Sequence, residues 1–405
     1  MTNRRARNEG SVDRSGEGTW RLRYRIAGRR YQQTFRGSLS DARKELRRLL
    51  RSGDIGEHVP PDRITLSAWI DRWIALLERQ PGDNEKRHKR GLVSRRTLER
   101  YAELMRCHVV PTLGARPLQQ IQASQIDDLY VKLEQKLSPR TVHHIHTVLG
   151  GCLKAAMRKG LISTSPVARA EAPSPGEANH GIALDAEQLR TLVDGFRGSA
   201  LFGIVAVGAF TGMRRNEILA LQWSDLDFDK RTLRVERTIE ETEKYGITFK
   251  PPKSARGARV ITVDEGLLSL LRVEHERHLR IKAGVPDGAV VDLRFAKLPA
   301  NALMFPNPPA PGQSFSFSTP RNPRNTTKEF VRRATKLGFA GVRFHDLRGS
   351  HETALLDAGV ALHTVAARCG HDPAVLLRSY AKQTPKADTA AAAVIGALLK
   401  GVVGE

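Results

Sequence analysis

The sequence predicts a multidomain, mainly α-helical protein with small β-sheets. It reads as an N-terminal ββ(β)α unit, an all-helical unit, and a larger α-rich unit containing a β-hairpin sheet. Three observations predict this. Apolar residues alternate with arginines from Trp20 to Ile26, the two-residue period of a half-buried strand. From Leu66 apolar residues recur every three or four positions, the period of an amphipathic helix. Two segments, Gly53 to Pro61 and Pro166 to Gly176, carry the proline and glycine of linkers.

The elements follow in order. Residues 1–13 are polar and read as unstructured. Trp20, Leu22, Tyr24 and Ile26 line one face of a strand, with Arg21, Arg23 and Arg25 on the other. Ala27 to Arg30 is a turn, and Tyr31, Gln33 and Phe35 begin a second strand. Ser40-Asp41 can cap a helix to about Arg51. Leu66, Trp69, Ile70, Trp73, Ile74 and Leu77 then form a helix face, and Pro81 to Ser94 is an exposed basic loop. Further helices are expected over Thr97–Val109, ended by Pro111, Gly114 and Pro117, and over Ser124–Lys136 and Pro139–Lys159. Ser138-Pro139 is a good N-cap and first-turn pair. The domains are therefore expected at 1–58, 62–170 and 180–399.

In the last unit, helices at Asp185–Phe196 and Ala200–Phe210 precede a helix carrying Ile218, Leu219 and Leu221. Strand-like pieces follow at Thr232–Val235, Ile247–Phe249 and Arg259–Val263, then a helix near Leu267–Leu279. Pro299 to Pro323 reads as a long loop. Helices return at Thr327–Leu337, Leu347–Ala358, Leu362–Arg368 and Pro373–Tyr380, and an Ala-rich helix is expected at Ala387–Leu399.

Charge narrows the function. The 405 residues carry 66 Lys and Arg against 43 Asp and Glu, a formal net charge of +23. Such a surplus attracts a polyanion, because neutralising phosphates releases condensed counterions. Cys107, Cys152 and Cys369 are far apart with no metal-ligand spacing, so neither a disulfide framework nor a zinc site is expected, and a reducing cytoplasm fits. The N-terminus has no apolar stretch after its charges. No run approaches the roughly 20 apolar residues of a membrane span.

Metal-free phosphodiester transfer needs a nucleophile, cations for two non-bridging oxygens, and an acid for the leaving oxygen. His345-Asp346-Leu347-Arg348 puts His and Arg three residues apart at a helix start, on one face. Gly370-His371-Asp372-Pro373 is a turn into a helix, and Tyr380 stands nine residues after His371. Arg214 follows a glycine turn; alone it reads equally as a salt-bridge partner of Glu217 or Asp225. Each of these taken singly is an ordinary packing or surface residue.

Taken in order, Thr211-Gly212-Met213-Arg214, His345-Asp346-Leu347-Arg348, Gly370-His371 and Tyr380 resemble the tyrosine recombinases of the phage-integrase type. The resemblance covers essentially the whole chain. It implies an arm-type DNA-binding domain at the N-terminus, a helical core-binding domain, and a catalytic domain. It implies that Arg214 and Arg348 bind the scissile phosphate, and that His345 and His371 hydrogen-bond it. Tyr380 would attack phosphorus, giving a 3′-phosphotyrosine and a free 5′-hydroxyl. A lysine on a β-hairpin would protonate the leaving oxygen; Lys253 matches best and Lys250 is the runner-up. Glu217 would orient its neighbours. Cys369, Leu377 and Lys382 stand where Leu, Thr and His are frequent in the family. The C-terminal helix would pack into a neighbouring subunit or onto its own domain.

The resemblance further implies double-stranded DNA attachment sites, a homotetramer on DNA, DNA-bending or directionality proteins as accessories, and no membrane. No cofactor or metal is expected: two guanidiniums and nearby imidazoles would stabilise the charge, no carboxylate cluster would hold a metal, the covalent intermediate conserves the bond energy without ATP, and there is no phosphate-binding GxxxxGK[ST] loop. The alternatives are a cellular resolvase or invertase of the same chemistry, a non-catalytic DNA-binding relative, and a metal-dependent nuclease.

Overall fold

The computed structural model describes residues 10–55, 58–78, 93–177, 181–252, 254–286 and 289–380, with 395 and 397. The expected Pro81–Ser94 loop falls largely outside them, as does nearly all of the Ala387–Leu399 helix. The chain divides into two compact units, the described residues up to 177 in the first and those from 181 in the second.

The first unit opens with an antiparallel sheet of β1 (Ser11–Gly16), β2 (Thr19–Ile26) and β3 (Arg29–Arg36), in that spatial order, followed by helix α1 (Leu39–Asp54). Leu22 and Tyr24 turn inward and pack with Ala42, Leu46 and Leu49 of α1. Strand β1 corrects the expectation of no structure for residues 11–13 of the 1–13 segment, of which 1–9 lie outside the described residues. Val12 pairs with Leu22 and extends the apolar face, and Ser11 pairs with Arg23. The helix cap also differs from expectation. The Ser38 hydroxyl accepts the Asp41 N–H at 3.1 Å, leaving Ser40 and Asp41 inside the first turn. The outer face carries Arg21, Arg23 and Arg25, and Arg25 lies directly opposite Arg30.

A separate apolar cluster holds the helices α2 (Leu66–Glu78), α3 (Arg95–Leu104), α4 (Val110–Leu113), α5 (Ala123–Glu134) and α6 (Pro139–Arg158) together. Trp69 lies at its centre and donates its indole N–H to the Cys152 carbonyl at 3.1 Å. Pro111 does not end the second helix as expected. A π-helical turn at Met105–Val109 resets the register, and Pro111 then falls in the first turn of α4, where a missing N–H costs nothing.

The second unit contains helices α7 (Ala186–Gly195), α8 (Phe202–Thr211) and α9 (Arg215–Ile218), then the strands β4 (Leu226–Asp227), β5 (Thr232–Val235), β6 (Thr238–Thr242), β7 (Gly246–Lys250) and β8 (Arg259–Thr262). Strands β4, β5 and β8 make one antiparallel sheet, and β6 and β7 form a hairpin inserted between β5 and β8. Helices α10 (Glu265–Ala283), α11 (Pro323–Lys336), α12 (Asp346–Asp357), α13 (Leu362–Cys369) and α14 (Pro373–Tyr380) follow. Helix α8 is apolar all round, and Gly203 through Ala209 are buried. Phe330 stacks on Phe196 at 5.3 Å and meets Phe344 edge-on at 5.2 Å, which ties α11 to the segment before α12.

Two expectations about this unit are corrected. The helix expected to carry Leu221 is a single turn ending at Ile218, and Leu221 is buried in the segment beyond it. The Pro299–Pro323 loop is partly core: Ala302 to Phe305 are buried because their backbone finds partners, Leu303 bridging Gln222 and Met304 N–H reaching the Leu221 carbonyl at 2.9 Å. No helix among the described residues is long and apolar enough to cross a membrane.

Candidate active site

The site begins where α8 ends. Gly212 has φ of +63°, which stops the helix and turns the chain toward Arg214. A β-carbon there would sit 2.7 Å from the His351 ring and 2.9 Å from Cys369 Sγ, so glycine is required by space as well as by backbone angle. The Gly212 carbonyl accepts a hydrogen bond from Arg348 Nη1 at 2.7 Å. Thus the turn that presents one arginine also fixes the other.

Arg348 lies in the first turn of α12 and is 2% exposed. Its Nε is 3.1 Å from Glu352 Oε1, an ion pair whose angle falls short of a hydrogen bond, and Nη2 has no hydrogen-bond partner. A buried guanidinium with an uncommitted nitrogen can still grip an anion. Burial lowers its pKa and the Glu352 charge opposes that. Arg214 is more open, with its side chain 40% exposed. Its Nη1 donates to Glu217 at 2.8 Å and its Nη2 to the Gly370 carbonyl at 3.3 Å. Of the two partners open to Arg214 in the sequence, the structure selects Glu217; Asp225 pairs with Arg237.

Glu217 is 3% exposed and is held between Arg214 and Arg259, whose Nη2 donates to it at 3.0 Å. Burial pushes its carboxyl up, but the two guanidiniums outweigh burial and hold it below its ordinary value. Arg259 also donates Nε to the Arg368 carbonyl at 2.7 Å. It therefore ties strand β8 to the turn carrying His371. Gly370 makes that turn with φ of +67°, and a β-carbon there would meet the Arg256 carbonyl at 2.8 Å. Arg256 and Asp372 form an ion pair across the same junction.

His371 follows Gly370, with Nδ1 at 3.2 Å from Glu352 Oε1. Burial, then the charges of Arg348, Arg214, His345 and Arg259, push its pKa down to about 3. His345 stands before α12, where desolvation and the Arg348 charge likewise lower its pKa. The structure therefore brings Arg214, His345, Arg348 and His371 into one electrostatic cluster. Tyr380 ends α14, whose Leu376 is buried against Val365 and Ala366. The Tyr380 side chain and all of Lys253 lie outside the described residues. The runner-up lysine, Lys250, is ion-paired with buried Glu240. Among the described residues no group of three His, Cys, Asp or Glu is placed to hold a metal.

Sequence reasoning missed several of these residues. Glu352 follows Arg348 by one helical turn, a spacing that reads as a surface ion pair. Cys369 stands where Leu is frequent in the family, yet its buried thiol lies against the Gly212 turn, and burial together with the Glu352 charge pushes its pKa up. His351 locks the Gly212 turn: Nδ1–H donates to the Ala209 carbonyl at 2.9 Å while Nε2 accepts from Arg368 at 3.3 Å.

Two arginines, two histidines and a helix ending in tyrosine, on this fold, define a tyrosine recombinase of integrase type, an enzyme class that cleaves and rejoins DNA. The sequence profile of the phage integrase family matches residues 184–386, and the chain belongs to that family. A tyrosine recombinase XerC-like protein of Caldanaerobacter subterraneus subsp. tengcongensis is 24% identical over 66% of this chain and 69% of its own length. An integrase of Streptomyces ambofaciens is 26% identical over 55% of this chain, and the match spans only 56% of that relative. Among solved structures, the Tn1549 transposon integrase in complex with a circular intermediate DNA superposes with a TM-score of 0.60 at 17% identity, over 82% of this chain and 99% of that one. A lambda integrase dimer bound to a core site superposes with 0.54 at 16% identity, over 91% and 93%.

Proposed function

We propose that this protein is the integrase of a phage or other mobile element. It cuts and rejoins double-stranded DNA at attachment sites through a 3′-phosphotyrosine. The observation that carries this reading is the convergence of Arg214, Arg348 and His371, linked through the Gly212 and Gly370 carbonyls and Glu352, with His345 three residues before Arg348, at the start of the helix that ends in Tyr380. Arg214 and Arg348 neutralise the non-bridging oxygens, and His345 and His371 hydrogen-bond the same phosphate. The Tyr380 oxygen bonds to phosphorus as the bond to the 5′-oxygen breaks. Lys253 gives that oxygen its proton. Lys250 is already engaged by Glu240, which favours Lys253 for this role.

In this reading residues 1–58 are an arm-type DNA-binding domain, 62–170 a core-binding domain and 180–399 the catalytic domain. Arg25 and Arg30 facing each other on the outer sheet face repel, and a phosphate backbone would relieve the repulsion. Four copies assemble on paired sites in the bacterial cytoplasm, with bending or directionality proteins assisting. A lambda integrase tetramer bound to a Holliday junction, of the same fold, supports that assembly.

The test is a covalent-adduct assay in EDTA, using nicked suicide substrates from DNA flanking the gene. An SDS-resistant protein–DNA complex is expected; tight binding without an adduct would favour a non-catalytic relative. Lys253→Ala should slow cleavage by about 10²-fold or more, the usual contribution of a positioned acid. A 5′-bridging phosphorothioate, whose sulfur leaves unprotonated, should restore the rate. Rescue of Lys250→Ala instead would move the role to Lys250.

A further inference from the structure

A phosphate-transfer site gains from cations, so a buried carboxylate inside it requires a reason. Glu352 is 7% exposed and lies among Arg348, His371 and Cys369. An anion there repels the substrate phosphate, and its burial is costly unless something offsets it. Cys369 is fully buried and its thiol is pushed up to about 12, so it stays protonated and can donate to Glu352. Helices α12 and α13 thus each contribute to a built environment for one carboxyl group.

The contact with His371 carries the argument further. Glu352 Oε1 faces Nδ1 at 3.2 Å, which leaves Nε2 as the ring nitrogen available to a phosphate oxygen. To donate there, Nε2 must carry hydrogen. In a neutral ring that leaves a lone pair on Nδ1, 3.2 Å from Glu352 Oε1, and neither of these two buried atoms has a hydrogen-bond partner; a carboxyl proton would give both of them one. Burial raises the Glu352 pKa, with Arg348 opposing, which is the direction this requires.

We propose that Glu352 is a positioning residue that shares one proton with His371, keeping Nε2–H turned to the scissile phosphate. As phosphate charge develops, the proton leaves the Glu352 oxygen and bonds to Nδ1. The pair changes from neutral carboxylic acid and imidazole to carboxylate and imidazolium, with no net proton uptake. The positive end then adjoins the phosphate and the negative end is held by Arg348 and Cys369. The other charged groups around the pair are Arg214, Arg259 and His345, all of which disfavour an imidazolium, and Glu217, which is engaged by the two arginines. Without an internal proton source, His371 would have to draw its proton from solvent against those charges.

This inference rests on the recombinase reading of the site. The full chain is assayed for single-turnover cleavage of a suicide substrate across neutral pH, with and without Glu352→Gln. Glu352→Gln should cleave about 10²-fold more slowly at neutral pH. Its rate should rise by up to about tenfold for each unit of falling pH, as solvent must supply the proton. The unsubstituted chain should be nearly flat over the same range. In a His371→Ala background, Glu352→Gln should change the rate less than about threefold, because the pair acts as a unit. Glu352→Asp keeps the carboxyl and should keep the flat profile, which separates proton sharing from simple loss of fold. Parallel pH profiles, or an equal loss in the His371→Ala background, would overturn the proposal while leaving the recombinase reading intact. No adduct from the unsubstituted chain would overturn both.

Discussion

Tyr380→Phe removes the covalent protein–DNA adduct and leaves DNA binding within about threefold of its original strength, since a substitution that spares the contacts changes binding little. The phenyl ring retains the volume of the phenol, so the packing of α14 through buried Leu376 is preserved. In the proposed reading the groups that bind the phosphate are on other elements: the guanidiniums of Arg214 before α9 and Arg348 on α12, and the His371 imidazole before α14. What disappears is the oxygen that bonds to phosphorus. A free phenol has a pKa of about 10, so the site must stabilise phenolate and phosphate charge together, and no neighbouring hydroxyl is expected to substitute. Adduct formation should fall by at least about 10⁴-fold, in the range seen when a nucleophile is deleted. Suicide-substrate cleavage read by denaturing gel, beside a gel-shift titration, measures both quantities. An adduct that persists would reassign the nucleophile.

Arg348→Lys tests whether geometry or charge matters. The guanidinium donates to the Gly212 carbonyl, pairs with Glu352, and keeps Nη2 uncommitted, three directions from one planar group. A lysine has one nitrogen and cannot reach all three. Cleavage should drop by about 10²- to 10³-fold, the usual loss when a preorganised donor to the reacting group is removed. Arg348→Ala should go further, because it removes the buried donor to the Gly212 carbonyl altogether. Leaving a buried acceptor unsatisfied costs about 1–3 kcal/mol. Urea unfolding should therefore separate the variants, Ala losing much stability and Lys losing less. Arg348→Lys with near-original cleavage would show that charge alone suffices.

Much of the fold was legible in local pattern. The alternation at Trp20–Ile26 and the helical spacing from Leu66 each reflect burial of one face, and burial leaves a period in the sequence. Elements without such a period were missed. Strand β1 is polar except for Val12, β6 is rich in Thr and Glu, and Ala302–Phe305 is a short apolar run inside a proline-rich loop. These segments are ordered by partners distant in the chain, β2 for β1 and Leu221 and Gln222 for Ala302–Phe305.

The sequence by itself determined the family. Arg214, His345, Arg348, His371 and Tyr380 stand within short motifs in a recognisable order, and such motifs are legible in one dimension. Only the tertiary structure decided how the cluster is held. Arg259 joins β8 to the His371 turn, Gly212 admits His351 and Cys369, and Glu352 faces both Arg348 and His371. Such partners are far apart in the chain, 156 residues in the Arg214–Gly370 contact. Hydrogen bonds and ion pairs act through a few ångströms of space, and no local pattern encodes which distant groups the fold will bring within that reach.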